Sequence, residues 1–196
     1  MSISLVKGQK VSLSKDGAKL SRVFMGLGWD AKESKGFLSS LFGSTEDIDL
    51  DASCLIFDGA NVLLEAIFYN NLRGLNGLVV HTGDNLTGAG DGDDEVIKVN
   101  LGSLPPEVKT MVFIVSSYKG QTFDKIANAY CRVVDEASGK ELVKFNISDT
   151  GSHTGLIMAK IYLHNGEWKM HAIGEKTGGR TPADMLPAVV ALLGKS

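Results

Sequence analysis

Cysteine is scarce in this chain of 196 residues: there are two, Cys54 and Cys131. Both stand in apolar, strand-like contexts, so two buried thiols are expected rather than one disulfide. No C-x-x-C pair occurs, and the dispersed histidines, His81, His153, His164 and His171, have no zinc-ligand spacing. Nothing beside either cysteine would activate it, and there is no G-x-S-x-G elbow for a serine nucleophile. "SDTGSHTG" (148–155) therefore reads as a turn despite its adjacent Ser152 and His153. Long apolar runs are also missing, since none approaches the roughly 18 residues of a membrane span. The first twenty residues hold no continuous apolar core of a signal peptide, which predicts a cytoplasmic protein. Lysines are scattered, with no basic run to line a nucleic-acid groove.

What is present is β-sheet patterning. Composition is ordinary for a globular protein, 43% hydrophobic and 22% charged. Short runs rich in Val, Ile, Phe and Tyr recur every 8 to 12 residues between Gly, Asn and Asp turns, which predicts an all-β sandwich of antiparallel strands. "VSLSK" (11–15), "RVFMGLGW" (22–29), "SCLIFD" (53–58) and "LLEAIFYNN" (63–71) begin the series. "GLVVHT", "EVIKVNL", "TMVFIVSSY", "AYCRVVDE", "ELVKFNI", "GLIMAKIYLHN" and "EWKMHAIG" continue it. In "EVIKVNL", Ile97, Val99 and Leu101 share one face and Lys98 and Asn100 the other. Helix is confined to three short candidates: one turn at 105–109, a short helix within 122–130, and 181–194. The last has Thr181 as N-cap, Pro182 at the first position, Gly194 as stop, and Pro187 placed to kink or divide it. No linker divides the chain, so residues 1–196 are expected to form a single domain.

Negative charge is concentrated. The formal net charge is −3, yet two stretches hold far more acid than that. "HTGDNLTGAGDGDDE" (81–95) carries Asp84, Asp91, Asp93, Asp94 and Glu95 with four glycines and no lysine or arginine. "EDIDLD" (46–51) carries Glu46, Asp47, Asp49 and Asp51. Carboxylates crowded into a loop repel one another, and a hard cation removes that penalty. Calcium takes 6 to 8 oxygen ligands in a flexible shell. The first stretch offers carboxylates, the Asn85 amide and backbone carbonyls at Thr87 and Gly88, with glycines to turn the chain. It does not match an EF-hand, and both flanks read as strands. In "EDIDLD", period two puts Asp47, Asp49 and Asp51 on one face. Asp30, after "GLGW", ends a strand and joins the candidate ligands.

Residues 31–46 break the strand rhythm and read as an inserted loop. Its "FLSSLF" gathers Phe37, Leu38, Leu41 and Phe42, side chains that either pack back on the sandwich or form an exposed apolar tip for a partner or membrane surface. "GAGDG" resembles a phosphate cradle, but the following residues are acidic and lead into a strand, not a helix.

The same residues carry a resemblance. "SLVKGQKVSLSK", "GLGWD", "DIDLDAS", "FYNNLRG", "HTGDNLTGAGDGDDEVIKVNL", "PPEV", "AIGE" and "GRT" together resemble the tellurium-resistance TerD-domain family across the whole chain, closest to its TerZ-like branch. The resemblance implies a calcium-binding, non-catalytic β-sandwich of cytoplasmic stress-response systems, binding one or two Ca2+ ions. Its expected ligands fall on Asp30, Asp49, Asp51, Asp84, Asn85, Gly88, Asp91, Asp93, Asp94 and Glu95. It further implies other stress-operon proteins as partners and association with membranes. A metal-dependent phosphoesterase using the same cluster is the alternative, since a bound cation can activate water; nucleic acid is not an expected partner.

Overall fold

The structure, a computed structural model, describes residues 2–13, 20–31, 49–83, 92–147 and 151–195, with the backbone alone at Asp30, Ala31 and Asn128. Two sheets face one another. The larger has the order β1-β11-β10-β3-β8-β7-β6 and the smaller β2-β13-β12-β9-β4-β5. The larger comprises β1 (Ile3–Leu5), β3 (Val23–Ala31), β6 (Arg73–Gly74), β7 (Val79–His81), β8 (Glu95–Val99), β10 (Ile126–Asp135) and β11 (Lys140–Asn146). The smaller comprises β2 (Lys10–Ser12), β4 (Leu50–Phe57), β5 (Leu63–Ile67), β9 (Thr110–Ser117), β12 (Gly155–His164) and β13 (Glu167–Thr177).

Pairing is antiparallel in both sheets except for β1, which lies parallel to β11 with Ile3 opposite Val143. The two sheets are thus the expected sandwich of antiparallel strands, with one short parallel pair at an edge. Local patterning sets most of the hairpins. Between β12 and β13 the two-residue loop is Asn165–Gly166, both at positive φ (52° and 77°), the backbone that a tight hairpin with matching twist demands.

Period two sorts the side chains. On β4, Leu50, Ala52, Cys54 and Ile56 enter the core between the sheets. Leu55 and Phe57 point the other way, into a second core beneath α1 (Pro182–Leu193). There Met185, Val189 and Leu193, one helical face at i, i+4 and i+8, cover Val112, Ile114, Ile157 and Ile173. On β8, Ile97 and Val99 are buried and Lys98 exposed, as the alternation predicts. Both cysteines are free and buried.

The helix starts as its sequence predicts. Thr181 accepts from the Asp184 amide while Asp184 caps the Thr181 amide. It runs unbroken through Pro187, which corrects the expected division. Pro187 is solvent-exposed. The segment 105–109 forms a turn and no helix. The helix expected within 122–130 is reduced to one 3-10 turn, Phe123–Lys125. From Ile126 the chain is strand, because pairing with β3 (Ile126 opposite Ala31, Ala127 opposite Asp30) outweighs local helical preference.

Candidate cation site at the acidic end

One end of the sandwich collects the described acids of the two acidic stretches. Here β3 and β9 finish, β4 and β8 begin, Thr82 and Gly83 lead the chain out and Gly92 leads it back. Register ties these ends together: Leu27 faces Glu95, Leu50 faces Ser117, and Asp51 faces Ser116. The consecutive acids Asp93, Asp94 and Glu95 enter three separate environments.

Asp93 lies on the outer face of the larger sheet. Arg132 clamps it bidentately, Nε donating to Oδ1 at 2.8 Å and Nη2 to Oδ2 at 3.0 Å. The Arg132 Nη1 also donates to Glu141 Oε2 at 3.3 Å. The Tyr130 hydroxyl donates to the Gly92 carbonyl at 2.6 Å and stands 3.3 Å from Asp93 Oδ1. This arrangement fits only because β3 has a bare floor. A Cβ on Gly26 would meet Asp93 Oδ2 at 2.2 Å, and one on Gly28 would meet the Tyr130 ring at 2.5 Å. Hydrogen bonding to Asp93 raises the Arg132 pKa further. Burial, and then the Asp93 charge, push the Tyr130 phenol up to about 12.

Asp94 extends the β3–β8 ladder. Its amide donates to the Leu27 carbonyl at 2.7 Å, and its Oδ2 accepts the Trp29 amide at 2.8 Å. Glu95 turns inward and is 1% exposed. Its Oε2 accepts the Ala52 amide at 2.6 Å, a bond that ties the two sheets. The His81 Nε2 stands 3.4 Å from the same oxygen. His81 Nδ1 accepts the Gly83 amide at 3.1 Å, which leaves the ring proton on Nε2, facing Glu95. His81 Nε2 is buried beside Glu95 without a hydrogen bond to it.

Asp49 and Asp51 are 5% and 4% exposed. Lys119 Nζ approaches Asp49 Oδ2 at 3.6 Å. Along the same face of β4 and β9 stand Ser53 and Ser116, whose hydroxyls are buried without a hydrogen-bond partner. Asp51, Ser53 and Ser116 form a buried strip of oxygen donors, the chemistry a hard cation prefers. Among the described residues, no group of three or more His, Cys, Asp or Glu side chains stands close enough to hold a metal by itself.

Asp84, Asn85, Gly88 and Asp91 lie outside the described residues, as do Asp47 and the Asp30 side chain. So do Phe37, Leu38, Leu41 and Phe42 of the insert. The sequence pattern missed Arg132, Tyr130, Lys119, Ser53 and Ser116. Its one pointer was "GLG" inside a strand, since glycine there marks a close approach from elsewhere. The acidic stretch has no local base, but its counter-charge arrives 39 residues away, from β10.

The class so defined is a two-sheet sandwich with an acid-rich end and a helix closing one outer face. A TerD domain model matches residues 1–181. The chain is 47% identical to the tellurium resistance protein TerZ of Serratia marcescens, across 96% of this chain and 97% of that protein. It is 43% identical to general stress protein 16U of Bacillus subtilis (89% and 90% covered). A solved homologue of the telluride resistance protein TerD from Streptomyces coelicolor superposes with a TM-score of 0.68 at 18% identity, covering 85% of this chain and 95% of that one, and so shares the fold. The chain belongs to the TerD-domain family of tellurium-resistance and general stress-response proteins.

Proposed function

We propose that this chain is a calcium-binding, non-catalytic stress-response protein of the cytoplasm, whose acidic end holds one or two Ca2+ ions. The observation that carries this is the strip of Asp51, Ser53 and Ser116. Both of its hydroxyls are buried without a partner, at the end where Asp93 and Asp94 also stand. Asp49, Asp51 and Asp94 form the proposed shell together with the sequence-expected ligands Asp84, Asn85 and Asp91, because the described acids form no metal-holding group by themselves. Calcium would supply charge neutralisation and order the loops for a partner, another stress-operon protein. Peripheral membrane contact through Phe37, Leu38, Leu41 and Phe42 is the companion proposal. Two buried free thiols support the reducing compartment, and no described helix is long and apolar enough to cross a membrane. The phosphoesterase alternative lacks Arg180 as a phosphate clamp at the acidic end, since its Nε donates to the Tyr118 carbonyl at 2.7 Å.

Calorimetry with calcium and magnesium, paired with melting curves, tests the proposal. Calcium at 100 times its Kd stabilises a fold by about 2.7 kcal/mol when the unfolded chain does not bind. Asp51→Asn should reduce that gain. Melting curves that coincide in chelator and in saturating calcium would sink it.

A further inference from the structure

The outer face of the smaller sheet carries a second charged cluster, of the opposite sign. Lys10, His171 and Lys160 are successive cross-strand partners on β2, β13 and β12. The adjacent row is Ser12, Lys169 and Tyr162, again direct partners. Residues two apart on a strand share a face, and direct partners have Cβ atoms about 5 Å apart. The six side chains therefore form one grid of three lysines, a histidine and two hydroxyls. Lys160 is only 6% exposed, and its ammonium stands 5.3 Å from the centre of the Tyr162 ring. The His171 Nδ1 is buried and has no hydrogen-bond partner.

Among the described residues, no ion pair brings counter-charge to this grid. The ion pairs among the described residues involve Lys7, Lys98, Lys119, Arg132 and His81, and none involves Lys10, Lys160, Lys169 or His171. The nearest carboxylate contact is at the margin, where the Ser12 hydroxyl donates to Glu167 Oε2 at 3.4 Å. Burial and the Lys10 charge lower the Lys160 pKa. Burial, then Lys10 and Lys160, lower that of His171. The groups thus register one another's charge. Like charges so placed, one of them largely desolvated, are held at a cost that a bound anion removes.

We infer that this face of β2, β13 and β12 is a binding site for a dianionic phosphate group, with Lys160 as its central contact and Lys10, His171 and Lys169 around it. Compact ammonium groups suit phosphate as point charges. The Tyr162 hydroxyl adds a neutral donor, and Glu167 stays at the margin, where it accepts the Ser12 hydroxyl.

The test is a titration of the full chain with inorganic phosphate, and separately with phenyl phosphate. Both are followed by calorimetry and by the His171 ring resonances, with chelator present throughout. Chelator removes any phosphate bridged by metal at the acidic end, so the result stands apart from the calcium proposal. We expect one saturable site that moves the His171 resonances. Lys160→Met, which keeps the apolar stem, should weaken binding at least about tenfold, the size of one charge-assisted contact. Lys10→Gln, at an exposed position, should weaken it severalfold and covers the case in which the first variant folds poorly. Equal binding of both ligands identifies a phosphate monoester as the target, and binding of inorganic phosphate alone identifies the free ion. Absence of saturation, or a titration that neither substitution alters, overturns the inference.

Discussion

Replacing Arg132 by methionine probes how this fold tolerates its acidic end. The substitution keeps an unbranched stem and deletes the guanidinium, which makes two bonds to Asp93 and one to Glu141. The Asp93 side chain is 7% exposed and that of Arg132 30%, so the pair lies between surface and interior. Breaking a fully buried pair by removing one partner costs about 3–5 kcal/mol, whereas an exposed pair is worth about 0–1 kcal/mol. The intermediate setting and bidentate geometry place Arg132→Met at about 2–3 kcal/mol in calcium-free solution. For a chain of this length each kcal/mol lowers Tm by about 2–4 °C, so a drop of about 4–12 °C is expected. A double-mutant cycle with Asp93→Asn should assign about 1–2 kcal/mol of that to the pair itself.

Calcium adds a second arm to the same experiment. Asp93 lies outside the proposed shell, paired to Arg132 on the outer face of the larger sheet, so the deficit of Arg132→Met should keep its full size in saturating calcium. Denaturant titration in chelator and in calcium measures both quantities. A deficit below about 0.5 kcal/mol in chelator would show that the clamp behaves as an ordinary surface pair. A deficit that shrinks in calcium would put Asp93 in the shell and refute its placement outside.

Gly26→Ala should disrupt the same clamp from beneath, because the new methyl would stand 2.2 Å from Asp93 Oδ2. The expected loss is about 1–3 kcal/mol by denaturant titration, with little further loss when it is combined with Arg132→Met. His171 predicts a pH dependence. Its folded pKa lies below its ordinary 6.5, so the unfolded chain takes up the proton first. Stability is therefore full above pH 6.5 and falls as pH drops from there toward the folded value; His171→Gln should flatten that limb of a stability-versus-pH curve.

Strands were legible because a half-buried strand forces apolar and polar side chains to alternate, and β8 shows it residue by residue. The start of α1 was legible because capping is local: Thr181 and Asp184 are three residues apart. What failed is decided by distant parts of the chain. Ile126 to Tyr130 is strand because β3 supplies its partners. The parallel β1 depends on β11, about 140 residues away. The two-residue β6 is too short to leave a pattern. The site divides in the same way. A carboxylate is visible in the sequence, but its counter-charge and burial are not. Asp93, Asp94 and Glu95 read as one acidic run, yet they meet a guanidinium on the outer face, the Trp29 amide, and the Ala52 amide between the sheets. Charge density in a sequence is thus evidence for a cation only after fixed partners have been subtracted. For Asp93 and Glu95 the subtraction is large, since each already meets a strong donor. The buried hydroxyls of Ser53 and Ser116, which have no hydrogen-bond partner, survive that subtraction best, and Asp51 is the carboxylate directly opposite Ser116. It follows that Asp51→Asn should weaken calcium binding more than Glu95→Gln, and that Glu95→Gln should chiefly loosen the tie between the sheets.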